Sequence, residues 1–168
     1  PVAVDGQPVS SSRLRSLIAA GDVAAAAGLA TAPYRLSGRV VSGARRGATL
    51  GFPTANLAEV ATLLPAAGVY AARAGVPAVN QKAAEWFPAA VNVGPAPTFG
   101  VEASGVEVHL IGFAGDLYGT TLHVDFLERL RDTRRFNSAA DLQAQLADDV
   151  ARAAAVAGGP AAAPVRER

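Results

Sequence analysis

The chain contains no cysteine. Disulfides and thiolate-bound metals are therefore excluded, and nothing about secretion follows. It contains no methionine either, even at position 1, so a processed chain or a piece of a longer one is expected. Lysine is nearly missing. Lys82 stands alone, and arginine carries the rest of the positive charge. No apolar run is long enough to span a bilayer, and no signal-peptide pattern is present. Charge of neither sign is in excess: 15 basic residues meet 14 acidic ones, leaving +1. Composition thus gives no case for nucleic acid or a membrane surface as partner. A soluble, cytoplasmic protein is expected.

What is present suffices for one domain of 168 residues with a real core, since 51% of the residues are hydrophobic, many of them alanine. Residues 1–32 read as helical. Ser11 or Ser12 can cap a helix carrying Leu14, Leu17 and Ile18 on one face, Gly21 can end it, and Asp22 can cap a short second helix. From Tyr34 the period changes. Tyr34–Ser42, Pro53–Leu57, Gly68–Ala74, Ala89–Val93, Val106–Phe113 and Thr120–Leu127 read as strands, and 43–51 and 75–88 as loops. Ala114–Gly119 reads as a hairpin connection. Leu122, Val124 and Phe126 alternate with Thr121, His123 and Asp125, so one sheet face is buried and one wet. Ser138, with Asp141 beyond it, opens a last helix whose apolar stripe is Leu142, Leu146 and Val150. Residues 153–168 read as a flexible tail. Strands first and one long helix afterwards predict a mainly β fold. An antiparallel barrel with a helix packed on it follows.

The densest chemistry lies in Gly47-Ala-Thr-Leu-Gly-Phe-Pro-Thr-Ala-Asn56. In an extended segment Thr54 and Asn56 point the same way, so a hydroxyl and a carboxamide oxygen share a face. Such oxygens suit Mg²⁺, whose shell phosphates and water complete. Pro53 stiffens the backbone before them. Gly43, Gly47 and Gly51, with Arg45 and Arg46 beside them, allow backbone amides to approach an anion. A glycine-containing hairpin with polar residues on its wet face serves the spacing equally well. Glu107 and His109 share one face of a strand, and Val106, Val108 and Leu110 the other. A lone strand glutamate commonly belongs to a solvated face. The sharper reading makes Glu107 a general base for a substrate hydroxyl, with His109 structural or lining a site. Arg129, Arg131, Arg134 and Arg135 form a basic segment, able to stack on or donate to a planar ligand.

Taken in order, several motifs resemble bacterial riboflavin kinases: the Gly47–Asn56 run, Gly68-Val-Tyr70, Val91-Asn-Val-Gly94, Pro97-Thr-Phe-Gly100, Val106-Glu-Val-His-Leu110, Asp116-Leu-Tyr-Gly119, and Leu130-Arg-Asp132 followed by Phe136. The likeness covers about residues 33–151. Val9-Ser-Ser-Ser-Arg-Leu-Arg15 resembles the closing motif of the FMN adenylyltransferase module that precedes the kinase in bifunctional enzymes. The resemblance therefore implies residues 1–32 as the tail of that module and 33–152 as a six-stranded Greek-key barrel plus helix. It implies no adenylyltransferase activity in this chain.

It also implies ATP as co-substrate, Mg²⁺, and transfer of the γ-phosphate to the ribityl 5′-hydroxyl of riboflavin, giving FMN and ADP. Thr54 and Asn56 would serve metal and phosphates. Gly43, Arg46 and Gly47 would lie in the phosphate loop, and Tyr118 near the nucleotide. Glu107 would be the base, and Arg131 and Arg134 would lie in the loop over the flavin. The pattern departs from the family at Ala96, Gly112 and Thr133. Ala48-Thr49 also occupies the place of a lysine, for which Arg46 can substitute. The alternative from another class is a non-catalytic flavin- or nucleotide-binding barrel, in which Glu107 would be dispensable. The N-terminal piece could instead serve assembly.

Overall fold

The computed structural model describes residues 3–4, 7–8, 10–43, 46–77, 84–94 and 103–158. The expectations for Arg45, Lys82, Ala96 and the Pro97–Gly100 motif, and for the side chain of Arg46, lie outside the described residues. A two-stranded ribbon, β1 (Ala3–Val4) and β2 (Gln7–Pro8), precedes helices α1 (Ser11–Ala20) and α2 (Val23–Ala30). Residues 1–32 are thus not wholly helical. Helix α1 is capped by Ser10, not by Ser11 or Ser12: its hydroxyl accepts from the Arg13 N–H at 3.2 Å. Gly21 closes that helix in the left-handed conformation, and Asp22 caps α2 as expected.

Six strands follow: β3 (Tyr34–Val41), β4 (Ala55–Ala58), β5 (Gly68–Val76), β6 (Glu85–Val93), β7 (Ala103–Leu110) and β8 (Thr121–Arg131). The short helix α3 (Arg46–Thr49) lies between β3 and β4, in what reads as loop. The strands close into a barrel in the order β3-β4-β7-β6-β5-β8, with every pairing antiparallel. The β4→β5 and β7→β8 connections therefore skip neighbours. Ala114–Gly119 is accordingly a crossover and not a hairpin, because β8 pairs with β3 and β5 and never with β7.

Alternation fills the interior. Leu36, Leu57, Tyr70, Val91, Val106, Val108, Leu122, Val124 and Phe126 all point inward and are fully buried. Tyr70 meets Phe126 edge to face at 5.2 Å. A six-stranded barrel is narrower than the eight-stranded kind whose interior side chains just fill, and the inward side chains of the described residues pack this one.

The strand ends differ from expectation for local reasons. Strand β6 begins at Glu85 and runs through Pro88, whose missing N–H is tolerated while its carbonyl accepts from the Ile111 N–H at 2.8 Å. Strand β8 runs on to Arg131. Register shifts opposite Val69/Tyr70 and Ala71/Ala72 break its two-residue period, so Leu130 leaves the interior and joins an outer cluster.

That outer cluster seats the last helix, α4 (Ala139–Ala157). Ser138 caps it, its hydroxyl accepting from the Asp141 N–H at 3.1 Å. Ala153 and Ala154 lie against Val69, Ala71, Ile111 and Leu130 on the outside of the barrel. Helix α4 thus passes Arg152, where the sequence pattern starts a tail. Its end is held by Arg73, whose Nη2 donates to the Ala157 carbonyl at 3.0 Å. Removing the residues after Arg152 would take away three buried alanines, Ala153, Ala154 and Ala157, and the packing they make on the barrel. That truncation is expected to cost about 2 kcal/mol of stability, at ~0.8 kcal/mol per buried methyl. An unchanged thermal midpoint would show that this last turn does not hold the helix to the barrel.

Candidate active site on the outer barrel wall

The outward positions of five strands line up across the sheet. Asn56 on β4 pairs with Glu107 on β7, Glu107 with Asn92 on β6, Asn92 with Val69 on β5, and Val69 with Arg131 at the end of β8. Neighbouring strands lie ~4.8 Å apart, so the row is a ruler of polar, acidic, polar, apolar and basic side chains. It forms one wall of a cavity of about 470 Å³, a size typical of small-molecule sites. Leu142, Leu146 and Val150 of α4 face the wall from the other side. They are the stripe read from the sequence, and they are only partly buried because they line this cavity.

Helix α3 and the turn after it close one end. The Gly47 carbonyl accepts from the Phe52 N–H at 2.9 Å, and a Cβ on Gly47 would run into the Phe52 carbonyl. Gly43 is held to glycine similarly, because a Cβ there would overlap the Asn56 carboxamide. Gly43 therefore serves the site by letting the chain just after β3 pass close to Asn56. Gly47, Thr54, Asn56, Glu107, Arg131 and Arg134 all line the same cavity.

Thr54, Asn56, Asn92 and Glu107 make no side-chain hydrogen bond to one another or to any other described residue. Four polar groups at a cavity wall thus keep free hydrogen-bonding capacity, which a ligand can use. Thr54 and Asn56 offer neutral oxygens, and Glu107 a carboxylate next to Asn56. That donor set fits a hard cation which keeps phosphate and water in its shell, as Mg²⁺ does. No group of three or more His, Cys, Asp or Glu suited to an all-protein metal cage occurs among the described residues.

His109 lies on the same face as Glu107 and has a definite partner. Its Nδ1 is 2.8 Å from the Pro53 carbonyl, which can only accept, so Nδ1 carries the hydrogen. The ring also meets Phe52 edge-on at 5.7 Å. His109 thereby fixes the backbone just before Thr54. Burial pulls its pKa below the ordinary value, with the Pro53 bond acting weakly the other way, so the ring is neutral at pH 7.

At the other end Arg131 and Arg134 take different places. Arg131 closes β8 and does not lie in the following loop. Its Nε and Nη2 donate to both carboxylate oxygens of Asp149 on α4, at 2.9 and 2.6 Å. Asp149 is 1% exposed and also accepts from Gln145 Nε2 at 2.9 Å. Arg134 Nη2 donates to Gln145 Oε1 at 2.5 Å, and its guanidinium lies 4.7 Å from the Phe136 ring centroid. Arg131, Asp149, Gln145 and Arg134 form one chain joining barrel, helix and loop.

Tyr118 is not brought to the cavity. It is 51% exposed on the crossover loop, where Gly119 donates to the Val40 carbonyl at 3.0 Å. That places the loop beside the end of β3, whose Val41 pairs with Asn56. Asn92, Phe52, Phe136 and Asp149 line the cavity without having been singled out as site residues. Phe52, Asn92 and Phe136 fall within the motifs that carry the resemblance, Asn92 adds the signal of a carboxamide between two inward valines on a strand, and Asp149 left none.

Comparison with known proteins decides the family. The family described as Flavokinase, riboflavin kinase, matches residues 30–157. The chain belongs to the riboflavin kinase family. A bifunctional riboflavin kinase/FMN adenylyltransferase of Haemophilus influenzae is 37% identical over 152 residues, covering 90% of this chain and 48% of that protein. The Escherichia coli K12 protein of the same name is 38% identical, covering 86% of this chain and 44% of that one. The chain thus spans about half the length of the curated relatives it matches.

Among solved structures, a Streptococcus pneumoniae protein described as a macrolide-efflux protein superposes with a TM-score of 0.78 at 38% identity, covering 89% of this chain and 47% of that one. Riboflavin kinase from Trypanosoma brucei superposes with a TM-score of 0.51 at 23% identity, covering 77% and 82%, and supports the fold. No helix among the described residues is long and apolar enough to cross a membrane.

A neutral His109 has a consequence for stability. Above its ordinary pKa of ~6.5 the folded and unfolded rings are both neutral and nothing changes. Below that value the unfolded chain takes up a proton that the folded chain resists, so stability falls with pH. The difference in denaturation midpoint between the parent chain and His109→Asn is expected to move against the parent as pH drops from 7.5 to 5.5. A pH-independent difference would contradict this protonation state.

Proposed function

We propose that the chain is a Mg-ATP-dependent riboflavin kinase, transferring the γ-phosphate of ATP to the ribityl 5′-hydroxyl of riboflavin. The observation that carries the reading is the register of Asn56 against Glu107, at a cavity that Gly47 and Thr54 also line. Membership of the riboflavin kinase family supports the substrate class. The proposal concerns only the kinase half of the relatives' names.

The site divides along its row. The glycine turn, Thr54 and Asn56 take the phosphates, with the nucleotide running out past the Tyr118 rim. Bound there, Mg²⁺ would offset the charge of the phosphate oxygens. Glu107, one strand away, accepts the 5′-hydroxyl proton as that oxygen bonds to the γ-phosphorus. The bond from that phosphorus to the bridging oxygen breaks, and ADP leaves. The flavin lies toward Val69, Leu146 and Val150, with Arg131 and Arg134 framing its far end. His109 acts through Pro53, whose carbonyl its Nδ1–H holds just before Thr54, while Glu107 is the group level with Asn56.

FMN should form when the chain is incubated with riboflavin and Mg-ATP. A folded chain that binds flavin and yields no FMN would leave only the non-catalytic barrel. Glu107→Gln is expected to lower kcat by on the order of 100-fold or more, the range for lost general-base catalysis, with flavin affinity nearly unchanged. Turnover within a few-fold of the parent would remove the base assignment. Asn56→Ala should raise the KM for Mg-ATP about tenfold, equivalent to ~1.4 kcal/mol, and leave riboflavin affinity alone. An unaltered nucleotide titration would remove Asn56 from the phosphate end.

A further inference from the structure

The geometry points to Asn92 as the residue that selects a polyhydroxylated side chain on the flavin, by hydrogen bonding its secondary hydroxyls. This rests on the proposed riboflavin kinase reading and extends it to the stretch of substrate between reacting oxygen and ring.

Asn92 stands directly between Glu107 and Val69 in the cross-strand row. Its strand neighbours Val91 and Val93 are buried inside the barrel, so alternation turns Asn92 outward to the cavity wall. Residues facing each other on paired strands have Cβ atoms ~5 Å apart, so Asn92 reaches the groups next to whatever Glu107 holds. On one side of it is the carboxylate that takes the 5′-hydroxyl proton. On the other is apolar Val69, where the row turns to the wall that α4 covers.

The substrate has the same order: a primary hydroxyl, a run of secondary hydroxyls, then a flat ring. Secondary hydroxyls both donate and accept, as a carboxamide does. Asn92 is half-buried and makes no side-chain hydrogen bond to any described residue. Its carboxamide is therefore open to the cavity with donor and acceptor both available, and the ribityl hydroxyls can supply partners for each. A flavin lacking them would leave the carboxamide unpaired, which is how a site built to bond a hydroxyl rejects its deoxy analogue.

The test compares two flavins: riboflavin, and a 7,8-dimethylisoalloxazine carrying a 5-hydroxypentyl chain at N10. The second keeps the ring and the primary hydroxyl and lacks every secondary one. Dissociation constants are read from flavin fluorescence with Mg-ADP present, for the parent chain, Asn92→Ala and, should that variant fold poorly, Asn92→Ser. The parent is expected to favour riboflavin. Asn92→Ala should weaken riboflavin about tenfold, the order of one lost hydrogen bond, and the hydroxypentyl flavin less than twofold. Equal weakening of both flavins, weakening of neither, or a parent that does not discriminate would each overturn the assignment. FMN formation by the parent is scored separately, so a failed kinase reading and a failed Asn92 assignment give different results.

Discussion

The barrel interior has no room for a ligand, and that constraint orders the rest of the molecule. Inward positions on all six strands carry valine, leucine, alanine and aromatic side chains that meet across the axis. Because side chains alternate along a strand, each inward valine fixes an outward neighbour. Val106 and Val108 inside put Glu107 outside, and Val91 and Val93 do the same for Asn92. Core packing therefore sets the height of the polar residues on the outer wall. The antiparallel register then brings them level across β4, β7 and β6. The site is the outer surface of the core, and its precision comes from strands that cannot slip without turning valines to water.

A wall becomes a pocket only when something stands off from it at a fixed distance. Helix α4 does so by touching the barrel at one half only. Its C-terminal half packs alanines on Val69, Ala71 and Leu130, while its N-terminal half presents Leu142 and Leu146 to open space. The two-pronged Arg131–Asp149 pair sits where one half gives way to the other. A buried ion pair is weak support for stability, since desolvation offsets much of the attraction. It does define position sharply, because a guanidinium fork accepts a carboxylate in one plane. Through Gln145 the same carboxylate is tied to Arg134, so the loop after β8 is set by the helix as well.

Much of this was legible in the sequence wherever short-range periodicity carried it. The shared face of Glu107 and His109, the inward run of β8, the Leu142–Val150 stripe and the Ser138 cap follow from spacing alone. The closeness of Asn56 to Glu107 does not, because it depends on β4 and β7 being neighbours across a long gap in sequence. The same nonlocality defeated the hairpin reading of Ala114–Gly119. Register shifts hid the end of β8, so Arg131, which the resemblance put in a loop, instead closes the strand. Asp149 looks like any acid on an exposed helix face, and only Arg131, reaching from another element, makes it buried. Pro88 reads as a breaker, yet its carbonyl is what the strand needed at that point.

That the flavin binds on the outer wall under α4 is tested most directly by NMR titration of the chain with riboflavin in the presence of Mg-ADP. The account predicts that amide and side-chain signals of Val69, Asn92, Glu107 and Leu146 shift together at one stoichiometric endpoint, while those of Leu36 and Leu122 inside the barrel hold still. Shifts centred elsewhere, with the Asn56–Arg131 row unmoved, would contradict it.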